Sequence, residues 1–211
     1  LSESTQRKLK EHPWYGNIRE LENLLTEIGL TPNTIFGYQR GIENINKIPH
    51  AEFNLLVSPW VGLKNMKTME KTLRIPYLHY PVLPVGATET GKFLREVGKF
   101  ANIDEGKVEA VIKKHEDYFY YLISRYADLF LENRVINKQF SVVADAQYSL
   151  AITKFLVNDL GLTPAKQFVT DDTPKEYQEA IKAEFNNLNF GIKADVAFET
   201  DGFKIHEAIK E

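Results

Sequence analysis

The sequence predicts an α/β protein of two parallel-sheet units joined by a long helix. Three observations carry that expectation. Short apolar runs alternate with amphipathic stretches along the whole chain. Strand, helix and strand then recur at the spacing of right-handed parallel crossovers. Between the two sets lies the longest periodic stretch, "KVEAVIKKHEDYFYYLISRYADLFLENR" over 107–134. Its Val108, Val111, Ile112, His115, Phe119, Leu122, Tyr126, Leu129 and Phe130 trace one stripe at helical spacing. The expected boundaries are 1–103 for the first unit, 104–134 for the connecting helix and 135–211 for the second unit. The second unit stops on a helix with no closing strand, and the chain opens on Leu1, so a fragment of a longer protein is expected.

The elements follow in order. "NIRELENLLTEIGL" places Ile18, Leu21, Leu24, Leu25 and Ile28 on one helical face, with Asn17 as cap, Glu20 as its capping-box partner and Gly29 as stop. "NTIFG" (33–37) and "EFNLLVSP" (52–59) read as strands, the second apolar enough for burial on both faces. "LKNMKTMEKTL" (63–73) is a helix, and "PYLHYPVLP" an extended piece broken by Pro81. "TETGKFLREVGKFA" (88–101) is a helix with Thr88 as cap and Phe93, Leu94, Val97 and Phe100 among its apolar positions. After the long helix, "QFSVVAD" (139–145), "PAKQFVTDD" and "ADVAFET" are strands. Between and after them, "AQYSLAITKFLVNDLG" is a helix closed by Gly161. "TPKEYQEAIKAEFNNL" is one with Thr173 as cap and Pro174 at its first position, and "DGFKIHEAIKE" begins another.

Composition narrows the function. Hydrophobic residues at 43% and charged residues at 26% are ordinary for a globular protein of 211 residues. Net charge is −3, with 26 Lys+Arg against 29 Asp+Glu, so no positive excess marks a nucleic-acid binder. No apolar run approaches the roughly 20 residues that cross a bilayer, and no signal peptide opens the chain. A cytoplasmic protein without membrane or nucleic-acid partners is expected. With zero Cys the chain has no disulfide, no zinc–thiolate site and no thiolate of its own for an iron–sulfur cluster.

Two stretches resemble parts of nucleotide-driven machines. "GATETGKF" (86–93) is close to the phosphate-binding loop G-x-x-x-x-G-K-[ST]. Phe93, however, replaces the magnesium-binding hydroxyl, and Glu89 puts a carboxylate where anions would bind. "HPWYGNIRELEN" resembles the "GNVREL" segment of enhancer-dependent activators, but no phosphate loop precedes it. Both read as helix starts. His12, His50, His79, His115 and His206 are scattered, with no pair at metal-ligand spacing, so no metal site is expected. Asp171 and Asp172 precede a helix and read as capping carboxylates. Tyr118, Tyr120 and Tyr121 read as packing surface, and Ser149 has no neighbouring His to activate it.

A longer pattern is more specific. "AEFNLLVSPWVGLKNMKTMEKTLRIPYLHYPVLPVGATETGKFLREVGKF" resembles the middle part of component 1 of nitrogenase. There a strand ends like "NLVLSPW", and a helix, "GIPY" and "P-x-G-x-x-x-T" follow. "FSVVADAQYSLAITKFLVNDLGLTP" resembles the start of that family's third domain, and "GNIRELENLLTEIGL" with "IFGY" the opening of its middle domain. The resemblance runs from about residue 15 to 209. It implies a fragment of the nitrogenase component 1-like fold, two Rossmann-like units, with 1–103 from the middle domain and 135–211 a truncated third.

The same resemblance implies a branch and a function. In the alpha-type subunit the strand ending at Ser58 would end in a Cys that ligates the iron–molybdenum cofactor. Ser58, the following "PW" pair and Asp145 look beta-like. The cofactor's His ligand would lie beyond Glu211, and the cysteines of the P-cluster before Leu1. The chain is thus expected to be part of a beta-type subunit of the molybdenum–iron protein, a scaffold and electron-relay partner in ATP-coupled reduction of dinitrogen. It would itself bind no metal, no cofactor and no nucleotide, and alone it would be inactive. The implied partners are a homologous alpha-type subunit and an iron protein reductase. Ser58, Thr88, Asp145, Ala146 and Gln147 would border a vestigial pocket, which sheet geometry also puts beyond the carboxyl ends of the strands. That pocket is expected to be empty or to hold a small polar solute. Other expectations remain open: a cofactor-assembly scaffold, a protochlorophyllide reductase-like subunit, or a noncatalytic two-lobed binding module.

Overall fold

The computed structural model describes residues 18–35, 42–127 and 138–210, which fall into two compact units, one ending at Ile48 and the other starting at Pro49. In the first, helix α1 (Ile18–Glu27) buries Leu24, Leu25 and Ile28. It closes in a Schellman turn, with Leu30 N–H on Leu25 O, Gly29 N–H on Thr26 O and Gly29 at φ 105°. No strand forms over 33–35, where the Asn33 amide instead donates to Lys47 O at 2.7 Å. Phe36, Gly37 and the expected cap Asn17 lie outside the described residues. A one-turn helix, α2 (Ile42–Ile45), follows.

In the second unit β1 (Asn54–Val57) pairs in parallel with β2 (Tyr77–Tyr80), from Asn54 opposite Tyr77 to Val57 opposite Tyr80. The crossover is α3 (Leu63–Leu73), at its expected bounds. β1 is half-buried along its length rather than covered on both faces. Its sheet has two strands among the described residues, so apolar content alone overstated its burial. Next come α4 (Gly86–Phe100) and α5 (Glu105–Arg125), the latter capped by the Asp104 carboxylate on Lys107 N–H. The two helices pack closely: a Cβ on Gly98 would meet Val108 Cγ2 at 2.7 Å. A two-pronged Arg95–Glu109 ion pair, at 2.6 and 2.9 Å, ties their outer faces. Only Val108 and Ile112 of the predicted stripe are fully buried, while Val111, His115, Phe119 and Leu122 are half-buried and Tyr126 is exposed. Leu129 and Phe130 lie outside the described residues.

The remaining strands are again parallel. β4 (Val143–Ala144), β6 (Gln167–Val169) and β7 (Val196–Phe198) form a sheet in the order β4-β6-β7, and β3 (Gln139–Phe140) pairs separately with β5 (Thr163–Pro164). The single strand expected over 139–145 is therefore broken. The cause is Gln167, fully buried on β6. Its Oε1 accepts Val142 N–H at 2.8 Å and the Thr153 hydroxyl at 3.2 Å. Its Nε2 donates to Phe140 O at 3.1 Å and Ala165 O at 2.6 Å. One amide side chain thus satisfies the backbone at the kink, as burial requires.

Helices α6 (Ala146–Asn158), α7 (Lys175–Phe185) and α8 (Gly202–Lys210) complete the unit. Thr173 is not the cap of α7: Pro174 takes that place, and the Thr173 hydroxyl donates to Asp171 Oδ1 at 2.6 Å. α6 is the central piece, touching α4, α7, β4, β5 and β6. The core holds Phe93, Leu94, Leu150, Val157, Phe168 and Phe185, each 0–2% exposed. Inside it lies a charged pin, Lys154, 2% exposed, which reaches Glu184 at 2.8 Å and Glu89 at 4.0 Å.

Candidate functional site

The carboxyl ends of β1, β4 and β6 meet at a cleft of about 280 Å³ lined by Pro59, Trp60, Val61, Asp145, Gln147 and Asp171. Ligand sites of open parallel sheets form at such ends. After β1 the chain turns sharply, with Leu63 N–H on Trp60 O and Gly62 at φ 85° ahead of α3. That turn presents Trp60, whose indole N–H donates to Asp171 Oδ2 at 3.0 Å. Its ring stacks on Tyr177, with centroids 6.2 Å apart and planes 20° off parallel. After β4, Asp145 caps α6 by accepting Tyr148 N–H at 2.9 Å. One residue into that helix, Gln147 lies near β1, its Nε2 3.4 Å from Val57 O.

Of the residues expected at this site, Asp145 and Gln147 line the cleft. Ser58 sits just before its Pro59 wall, 5% exposed, with its N–H on Tyr80 O and its Oγ without a hydrogen-bond partner. The His79 ring, through Nε2–H, donates to Ser58 O at 2.8 Å. Ala146 is buried as the first residue of α6 and does not line the cleft. Thr88 is held elsewhere, against Asp159. Sequence reasoning missed the tie between Trp60 and Asp171, which lie 111 positions apart. Asp171 is no helix cap, because its carboxylate is engaged by the indole and by Thr173. The available signal was an acidic residue just past an apolar strand.

The "GATETGKF" segment has a different chemistry. Its helix starts at Gly86, two residues before the expected cap Thr88, and Val85 at the cap position offers no side-chain acceptor. The acceptor comes from the far end of α6. Asp159 Oδ1 takes Thr88 N–H at 2.9 Å, the Thr88 hydroxyl at 2.8 Å and the Tyr120 hydroxyl at 3.4 Å. A carboxylate therefore fills the place a phosphate would need, at the positive end of the helix. Gly86, at φ 81°, has no room for a Cβ, which would lie 2.3 Å from Asp159 Oδ2 and 2.5 Å from Phe155. Burial pushes the Asp159 carboxyl up, against the hydrogen bonds from Thr88 that pull it down.

Lys92, the lysine of the motif, lies 3.7 Å from Glu89 Oε2. Glu89 is itself 3% exposed and accepts the Tyr80 hydroxyl at 2.5 Å. Burial, then that hydrogen bond, holds the Tyr80 phenol far above its usual range.

These donors do not suit an iron–sulfur cluster. Iron–sulfur clusters want thiolates, and the chain has no Cys. The cleft offers two carboxylates and an amide, each already hydrogen-bonded. Among the described residues no three His, Asp or Glu side chains are grouped to hold a metal ion. No described helix is long and apolar enough to cross a membrane.

Comparison with known proteins agrees with this architecture. The B subunit of the light-independent protochlorophyllide reductase of Angiopteris evecta is 28% identical over 148 residues, 68% of this chain and 28% of that protein. Its counterpart in Stigeoclonium helveticum is 28% identical over 151 residues, 70% of this chain and 29% of that protein. The chain thus spans under a third of the length of these relatives. A solved structure, "Nitrogenase Cp1 at pH 6.5", superposes with a TM-score of 0.62 at 20% identity, over 91% of this chain and 43% of that one. This likeness shows the fold. The family model described as nitrogenase component 1 type oxidoreductase matches residues 9–211, and the chain belongs to that family.

Proposed function

We propose that the chain is a piece of a beta-type subunit of a nitrogenase-like reductase. In the parent complex it serves as scaffold and electron-relay partner in ATP-coupled reduction of dinitrogen. Ser58 is the observation that supports this reading. By resemblance, the alpha type has a cofactor-ligating Cys at this strand end. Here a buried hydroxyl stands there instead, and a neutral hydroxyl is a poor ligand for iron. The reading assigns the P-cluster to the parent with no ligand from this chain, and catalysis to a homologous alpha-type partner fed by an iron protein reductase. The piece alone is inactive. The division into 1–103, 104–134 and 135–211 and a cytoplasmic location belong to the same proposal.

The relatives support a second reading. They are named as the B subunit of a light-independent protochlorophyllide reductase, which favours a protochlorophyllide reductase-like subunit. One experiment separates the two. The parent complex, purified anaerobically with its co-expressed neighbour, is supplied with ATP, dithionite and a nitrogenase-type iron protein, then with dinitrogen or with protochlorophyllide. Ammonia supports the first reading and chlorophyllide the second. Turnover of neither, by a complex that carries its clusters, would overturn both.

A further inference from the structure

We propose that residues 59–61 form a strap that opens and closes over the carboxyl end of β1, with Trp60 as its latch. The proposal goes beyond the family reading and does not rest on it. Both ends of the strap are fixed through the backbone. At one end Ser58 N–H lies on Tyr80 O at 3.1 Å, and the His79 ring holds Ser58 O at 2.8 Å. At the other, Met66 N–H lies on Gly62 O at 2.9 Å as α3 begins. Gly62 sits at φ 85°, a left-handed backbone that suits glycine and makes a ready pivot. Between these anchors Pro59 and Val61 carry no hydrogen-bonding side chain, and Val61 is 53% exposed. Among the described residues, the hydrogen bond and ring contact that tie the middle of the strap across the cleft both belong to Trp60. They are its indole bond to Asp171 at 3.0 Å and its stack on Tyr177.

Contacts of this kind break and re-form. A hydrogen bond that can be exchanged for one to water has a small net worth, and a ring pair adds a similar amount. Trp60 is half-buried and lines a cleft of about 280 Å³, so solvent reaches the latch. The far end of α6 is secured differently. There Lys154 lies in the core, and Asp159 takes both the N–H and the hydroxyl of Thr88. Local openings begin where few buried contacts hold a segment, and short segments between fixed points swing as lids. The strap meets both conditions. What it covers is Ser58, which is 5% exposed although Pro59, next in the chain, lines the cleft. Release of Trp60 lets the strap lift between Ser58 and Gly62. Water or a small solute in the cleft then reaches the Ser58 side chain.

The chain has no Cys, so a single introduced thiol reports its own exposure. The test measures alkylation of Ser58→Cys by iodoacetamide in the folded 211-residue chain. Val157→Cys is the comparison, since Val157, 0% exposed at the far end of α6, opens only with the core. Each is combined with Trp60→Phe, which keeps a ring and drops the indole donor, with Asp171→Ala, which drops the acceptor, and with Asp171→Asn, which keeps one. Circular dichroism verifies folding, and if Asp171→Ala does not fold, Trp60→Phe carries the comparison. The expected result is that Trp60→Phe and Asp171→Ala speed alkylation of Ser58→Cys roughly tenfold. Asp171→Asn stays near the unlatched chain's slower parent, and Val157→Cys does not respond. The proposal is overturned if Ser58→Cys reacts like a free thiol with the latch intact, or if neither latch variant accelerates it. Equal acceleration at Val157→Cys overturns it too, as the sign of general destabilisation. The rates depend on neither iron nor a partner, so failure here is distinct from failure of the family reading.

Discussion

Lys154 shows how one residue can fix three helices. Its ammonium is held between Glu184 of α7 and Glu89 of α4, at 2.8 and 4.0 Å, from a position 2% exposed on α6. Deleting one partner of a buried ion group costs far more than the group contributes, because the remaining charges stay desolvated. Lys154→Met should therefore lower unfolding stability by about 3–5 kcal/mol, read from denaturant midpoints at constant slope. A loss under about 1 kcal/mol would mean that Glu89 and Glu184 already find water in the folded chain.

Asp159 gives a prediction with a sign. Burial raises its folded-state pKa above the ordinary value of 3.8. A carboxyl raised on folding favours the native state below its unfolded pKa, and that advantage is lost as pH climbs through the folded pKa. The wild type should thus lose stability relative to Asp159→Asn as pH rises from about 3.8 through the raised value. Paired urea titrations at several pH values measure the difference. A wild type that gains on the variant over that window would show that the bonds from Thr88 outweigh burial.

At the scale of elements, packing distances set the tolerances. Gly98 lets α4 approach α5, since an added methyl carbon would sit 2.7 Å from Val108 Cγ2. Gly98→Ala should cost about 1–3 kcal/mol by overpacking, and melting curves would read it. Gln167 is the corresponding joint of the second sheet. Gln167→Leu leaves Val142 N–H and the Ala165 carbonyl without their partner, while Phe140 O keeps the Ala165 N–H. Each group left unpaired costs about 1–3 kcal/mol. Hydrogen exchange at Val142 should accelerate first; unchanged exchange there would contradict this account of the broken strand.

The same elements explain what the sequence could tell. α3 was legible to the residue because its signal, an amphipathic run over 63–73, is local. The parallel pairing was legible from the alternation of strands and helices. The break between β3 and β4 was not, because it depends on a side chain 25 positions away from Val142. The cap of α4 is hidden for the same reason. Thr88 is a good local acceptor, yet Asp159, 71 positions on, supplies the bond. Asp145 and Gln147 were placed at the pocket by the family resemblance together with the strand-end rule, whereas the tie between Trp60 and Asp171 exists only once two sheets meet.

For the whole molecule, family membership and chain chemistry point to a division of labour. The chain belongs to a family of oxidoreductases, but it carries no Cys and spans under a third of its relatives' length. We read it as the scaffold portion of a subunit whose clusters are held by other segments. The most direct test is iron and molybdenum per chain, with the visible spectrum, on the intact parent protein purified anaerobically with its neighbour. Cluster absorption is expected, with iron that depends on the neighbour. A colourless, iron-free monomer would contradict it.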